Sequence, residues 1–449
     1  MTHIGGKSDL VREKLSDSNT LAVNASHSGD MYHVRAAMVT SAPCHVLVFG
    51  ATPAVGRKVQ GLVELIEDLA SDDHRIFWSE RSADAIGLSQ DVNPNAARSL
   101  GRKGDTAATR YFTAELQNPD NQYGHEGTND QERAAKRKAF SDAYAKPSDE
   151  LAAAFAQSPE VQRFRPDVPY VLVNFRDSGH SAQGNHPALD TGKTGMRQIV
   201  EAVHHALSDE VHVVPVGGFP GTFTAETWGG PHLVEYWNWA VTRDRRAQLA
   251  LLHYLNENCR IMGAIGMRSG VTDQFTLAGI RTLSIDITPY QNHREVRKDN
   301  MQNHPSKGWD RGMKMEKAFG PDYGRVFLSD TRERDTQTSP EGWEGQFTDE
   351  DAERLTDAIF FYFSQSTAVH LGRDVPEGGA AWGNSQHSTH PLHTESLRPW
   401  LTSSGGITAG RQFAVLQQIN AQLKPSEIKD EGVKSMYRQV CEHYKLPVA

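Results

Sequence analysis

Arg176, Ser178 and His180 follow the apolar run "YVLVNF", and Arg268, Ser269, Gly270, Asp273 and Gln274 follow the apolar run "CRIMGAIG". An arginine at the carboxyl end of a strand offers a planar fork that can hold a diphosphate through two hydrogen bonds. The second cluster opens a predicted helix, "VTDQFTLAG". There the amides after Ser269 and Gly270 favour an anion through the helix dipole and their unpaired N–H groups. Arg268 adds positive charge at the same point. Plainer readings exist: Arg176 and Asp177 as a surface pair, and Ser269 or Thr272 as a helix cap. A cap and an anion site are compatible. If the turn faces a ligand, Gly270→Val should abolish binding while costing little stability.

Two glycine turns are weaker candidates. Gly217 and Gly218 end "EVHVVPVGG", where a missing side chain lets a ligand approach the backbone. Gly50 and Thr52 stand in "VFGATPAVG", a turn after a strand whose spacing is not GxGxxG. Asp105, Glu115 and His125 are available as proton acceptors in the polar stretch 90–150, and nothing in the sequence chooses among them. His387, His390 and His393 are spaced like metal ligands. Their loop is polar, with Glu395 the one nearby carboxylate, and it reads as solvated. No metal site is expected, and no GxSxG elbow, Walker loop or kinase signature occurs.

Apolar runs alternating with amphipathic helices position these residues. "CHVLVFG" and "HRIFWSE" read as strands around the helical spacing of Val59, Leu62, Val63, Ile66 and Leu69. From Pro169 onward, strands "YVLVNF", "EVHVVPVGG", "CRIMGAIG" and "RTLSIDI" alternate with helices, which implies parallel sheets with right-handed crossovers. One or two helices are expected in "LVEYWNWAVTRDRRAQLALLHYLNE". The expected fold class is α/β, with two Rossmann-like lobes facing a cleft. The boundaries are a flexible arm over 1–42, a first lobe over 43–165, a second over 166–370 and an extension over 371–449. The ends of the strands at Gly50, Arg176, Gly217 and Gly266 should bound the cleft.

Composition narrows the function. The chain has 449 residues, 38% of them hydrophobic and 23% charged, as ordinary globular domains do. A net charge of −9 argues against a nucleic-acid binder. Cys44, Cys259 and Cys441 are too few and too scattered for a disulfide framework and read as thiols of a reducing compartment. No apolar run is long enough to span a bilayer, and no signal-peptide core is present. A cytoplasmic protein is expected.

Three segments resemble parts of the GT-B glycosyltransferases. "VLVNFRDSGH" is similar to the strand-plus-arginine motif of the fucosyltransferase-like branch. "GAIGMRSGVTDQFTLAGIRTLSIDI" resembles the donor turn of the heptosyltransferase-like branch, and "HVLVFGATPAVG" the start of an acceptor domain. Together they cover roughly residues 44–80 and 169–290. The arginine motif departs from the family in carrying Asp177 and Ser178 where a second basic residue is usual. The resemblance implies metal-independent transfer from a nucleotide-diphosphate sugar, with no bound cofactor, to an acceptor that the sequence leaves open: protein, peptide, glycan or small molecule. Arg176 and the Arg268–Gly270 turn would stabilise the leaving diphosphate, with Ser178, His180, Gly217, Gly218, Asp273, Gln274, Gly50 and Thr52 around the substrates. Two alternatives stand beside it. One is an NAD(P)-dependent oxidoreductase using the Gly50–Gly56 loop, with Glu80 on the ribose. The other is a non-catalytic nucleotide-binding protein.

Overall fold

A computed structural model describes residues 1–5, 20–25, 29–40, 45–50, 59–82, 107–126, 128–175, 191–207, 210–218, 228, 230–287, 307–328 and 347–370. Two parallel sheets organise them. The smaller has four strands: β1 (Thr2–His3), β2 (Thr20–Asn24), β3 (His45–Phe49) and β4 (Ile76–Ser79), in the order β1-β4-β3-β2. The larger has six: β5 (Pro169–Phe175), β6 (His212–Gly217), β7 (Leu233–Val234), β8 (Arg260–Met267), β9 (Thr282–Ile287) and β10 (Tyr323–Leu328), in the order β10-β9-β8-β5-β6-β7. Every pairing in both sheets is parallel.

Burial on both faces explains the unbroken apolar strands. All seven residues of β5 are buried. Tyr170 and Leu172 point into one core, shared with Leu249, Leu252 and Phe275. Val171, Val173 and Phe175 point into the other, shared with Ile199, Val203, Leu355 and Ile359. The helices that supply these residues are α6 (Lys193–Ala206), α7 (Arg245–Asn258), α8 (Gly270–Leu277) and α10 (Asp349–His370). Gly279 ends α8 with φ of +92°, a left-handed conformation suited to glycine at a helix end. The first core does not stop at the larger sheet. It runs on through Leu21, Val23, Val46 and Val48 of the smaller one. Over this region the two sheets share one interior.

Several expectations need correction. Residues 20–40 are not a mobile arm: β2 is paired with β3, and α1 (Asp30–Thr40) is buried on nearly every face. The segment "DMYHVRAAMVT" hid its burial because His33 and Arg35, which break the apolar pattern, find partners inside the fold. Arg35 is fully buried and bonds the carbonyls of Leu65 and Tyr144 and the carboxylate of Asp68. A second correction is α3 (Ala107–Glu115), which forms where loops were expected and buries Ala108 and Phe112. Within 59–69, only α2 (Val59–Val63) is α-helical, followed by a turn and a 3-10 helix. Residues 233–242 form β7 and two 3-10 turns, so the helix there begins only at Arg245.

Part of the chain from 43 to 165 packs on the larger-sheet side. Its helices α4 (Asp130–Ala145) and α5 (Asp149–Gln157) lie against α7. α5 starts with Ser148 as its cap, as the sequence suggested. Between β9 and β10 runs α9 (Lys307–Phe319), which sequence reading did not assign. Arg176, Ser178, His180, Thr52, Asp105, the 387–393 histidines and the 371–449 extension lie outside the described residues. Among the described residues, no helix is long and apolar enough to cross a membrane.

Candidate functional site

The strand order locates a crevice. From β5 the chain moves to β6 on one side and later returns as β8 on the other. Such a switch point parts the loops at the carboxyl ends of the two strands, where open parallel sheets receive ligands. α8 begins there, directly after β8. Ser269 caps it, its Oγ accepting the Thr272 N–H at 3.0 Å. Thr272 ties the helix to the sheet: its hydroxyl donates to the Met267 carbonyl at 2.7 Å and accepts from the Asn174 amide of β5 at 3.1 Å. Gly266 passes beneath, where a Cβ would come within 2.8 Å of Asn174.

The smaller sheet arrives at the same place. Gly29, which follows β2 and precedes α1, packs on Gly270, so the amino ends of α1 and α8 converge. A Cβ on Gly270 would stand 2.5 Å from the Gly29 carbonyl oxygen and 2.6 Å from an Arg311 nitrogen. The expectation that Gly270→Val would cost little stability is therefore overturned. Gly270 is buried between helices, while its neighbour Val271 is exposed.

Beneath this contact lies a polar cluster built by four helices and a strand. Asp273 of α8 is 1% exposed. Its Oδ2 accepts from Arg311 Nε of α9 at 2.8 Å and Nη2 at 2.5 Å, and lies 3.1 Å from His33 Nε2 of α1. Its Oδ1 accepts from the Tyr323 hydroxyl of β10 at 2.8 Å. Arg311 Nη1 also reaches Asp30 at 3.3 Å, and Nη2 lies 2.9 Å from His33 Nε2. His33 Nδ1 is 2.8 Å from the Thr109 hydroxyl of α3. Burial alone would raise the Asp273 pKa, but Arg311, His33 and Tyr323 outweigh it and hold the carboxyl far below the ordinary range. Burial lowers the His33 pKa, and Arg311 lowers it further, against the pull of Asp273 and Asp30.

This geometry assigns Asp273 to the fold. Both of its oxygens are engaged inside the protein, leaving it unsuited to meet a ligand. Gln274 is buried too. Arg268 and Ser269 are half-buried at the crevice, and the Arg268 amide donates to Ile285. Gly217 and Gly218 close β6, with Gly217 at φ of +115° and its carbonyl accepting from Glu235. Gly50 ends β3, its amide donating to Ser79.

The other candidates scatter. Glu115 accepts from Asn121 at 2.9 Å. His125 is buried near Arg137, and burial with that cation pulls its pKa down to about 4. Glu80 already takes His3 at 2.7 Å, which occupies the acid that a ribose would need. Asp142, His253 and Glu257 lie close enough to share a metal ion, but Lys138 bonds both carboxylates, at 3.1 and 2.9 Å. Sequence reading missed Asp30, His33, Thr109, Arg311 and Tyr323. Arg311 is 38 residues from Asp273 and 278 from His33, so no local motif could announce it. The chain matches no protein-family model, and comparison with curated proteins and with solved structures finds no match.

Proposed function

We propose that the protein is a glycosyltransferase of the GT-B type, moving a sugar from a nucleotide-diphosphate donor to an acceptor held on the smaller-sheet side. One observation carries the reading: the carboxyl ends of two parallel sheets meet at Gly29 and Gly270, over the switch point of the larger sheet. Two converging helix amino ends favour an anion there. Arg268 and the first amides of α8 suit the leaving diphosphate, with Arg176, next in sequence after β5, as the clamp. Charge developing on that diphosphate is where preorganised donors help catalysis most. The acceptor hydroxyl would lose its proton to an acidic or histidine side chain of the smaller-sheet side. Asp273 is excluded from that role by its partners.

Calorimetric titration with UDP, GDP and ADP sugars, followed by an assay for nucleotide-diphosphate release, tests the reading. Binding of one donor with turnover is expected. Arg176→Ala should then weaken that donor by about 1.5–3 kcal/mol, and Arg176→Lys should restore only part of the loss. Binding of NAD(P) in place of these donors would move the protein to the oxidoreductases, and donor binding without turnover would make it a carrier.

A further inference from the structure

We infer that Trp237 is the platform on which the nucleobase of a nucleoside diphosphate stacks, an assignment that rests on the nucleotide-binding reading above. Three features of the corner after β7 point to it. Glu235 has φ of +47°, the one non-glycine residue with positive φ among the described residues. Such a conformation is costly for a residue with a Cβ and persists where the surroundings impose it. Here the Glu235 amide is held by the Gly217 carbonyl at 2.9 Å. The chain then turns in a 3-10 helix, Tyr236–Asn238, where the Tyr236 and Trp237 rings lie 6.0 Å apart and tilted, the first buried and the second open to solvent.

Tyr236 is buried, 4% exposed, and its carbonyl accepts from the Thr242 hydroxyl. Trp237 beside it is 40% exposed. Its ring edge lies over Gly218, where a Cβ would sit 3.5 Å away in ordinary contact. A single exposed aromatic ring is common on protein surfaces. This one is held by the strained Glu235 before it and by the Tyr236 ring 6.0 Å away, itself buried and tied through its carbonyl to Thr242.

Position also fits. Gly218 follows β6, and β6 is two strands from β8 in the larger sheet. Strand spacing puts their carboxyl ends about 10 Å apart, comparable to the reach from a base to its diphosphate. An anion at the start of α8 would leave its base over Gly218 and Trp237. Stacking on an aromatic face is tolerant of base identity, so the platform would add affinity for any nucleoside diphosphate and leave the choice of base to other contacts.

The test compares ligands with and without a base on the full chain. UDP, GDP, ADP and inorganic pyrophosphate are titrated calorimetrically into the parent, Trp237→Ala and Trp237→Phe, with thermal melts as controls. Trp237→Ala should weaken the best-bound nucleoside diphosphate about tenfold or more and leave pyrophosphate unchanged. Trp237→Phe should keep most of the affinity. Unchanged nucleotide affinity in Trp237→Ala would overturn the platform while leaving the nucleotide reading intact. Equal losses for nucleotide and pyrophosphate would make Trp237 a support of the fold. A parent that binds none of the nucleotides would overturn both inferences together.

Discussion

Two clusters in this molecule use the same residue types, a histidine beside an aspartate with a cation between acids, in opposite surroundings. The cluster of Asp273, His33, Arg311 and Asp30 is interior, with side chains between 0% and 12% exposed. The cluster of Asp142, His253, Lys138 and Glu257 joins α4 to α7 at the surface, where Lys138 is 54% and Glu257 41% exposed. Water screens the second and holds its members in reserve if a partner is lost. Nothing replaces a partner in the first. Equal geometry should therefore carry very unequal energy.

Removing one partner breaks that comparison most severely. Asp273→Ala leaves Arg311 buried against Asp30 alone, and Arg311→Met leaves two buried carboxylates facing each other. Each should lower unfolding free energy by about 3–5 kcal/mol, read from urea denaturation. Because the cluster joins α1 to α8 and α9, Arg311→Met should also weaken the seam between the sheets and expose it to limited proteolysis. A loss below about 1 kcal/mol would show that water reaches the cluster.

Gly270→Val comes next. A side chain here must displace the Gly29 carbonyl or Arg311, a form of overpacking that costs about 1–3 kcal/mol or more. The melting temperature should fall with it, and Gly270→Ala should fall less. A valine variant as stable as its parent would mean that α1 and α8 slide apart freely.

Acid sharpens the comparison further. His33 and His125 have pKa values below the ordinary histidine value, so the unfolded chain binds their protons first as pH falls. Their stability contribution is complete above about pH 6.5. It is lost as pH drops toward the folded value, which for His125 is about 4. His125 alone would cost about 2 kcal/mol between pH 7 and pH 5. Asp273 works in a lower window. Its folded pKa lies below the unfolded value, so its contribution fails only below about pH 4. His125→Gln should flatten the fall between pH 7 and 5 without touching the steeper one below. An unchanged pH profile in that variant would place the titration elsewhere.

Strands of the larger sheet were legible because burial on both faces leaves an unbroken apolar run, as in "YVLVNF". The start of α8 was legible because Ser269 is a cap followed by helix-forming residues. What those polar residues face was not legible. Asp273 looks the same in sequence whether it meets a ligand or Arg311, and the answer lies 38 residues downstream. α1 was missed for the same reason: His33 and Arg35 count as polar until their distant partners are known. Helical period and strand alternation report local burial, while pairing between remote polar groups leaves no period to read.

The smallest effect belongs to the surface cluster. Lys138 donates to Asp142 at 3.1 Å and to Glu257 at 2.9 Å, and His253 lies 2.8 Å from Asp142. The Asp142 carboxyl sits below its ordinary pKa: its partly buried position raises it, but His253 and Lys138 outweigh that. Lys138→Ala removes an exposed ammonium and frees two carboxylates that water can solvate at once. The expected loss is about 0–1 kcal/mol, shrinking as salt is added. Asp142→Asn should cost somewhat more, since His253 is 4% exposed and keeps only an amide beside it. Urea denaturation of both variants at low and high salt reads the difference. If Lys138→Ala destabilised as strongly as Arg311→Met, burial would not be what separates the two clusters, and the charge pairing itself would have to be.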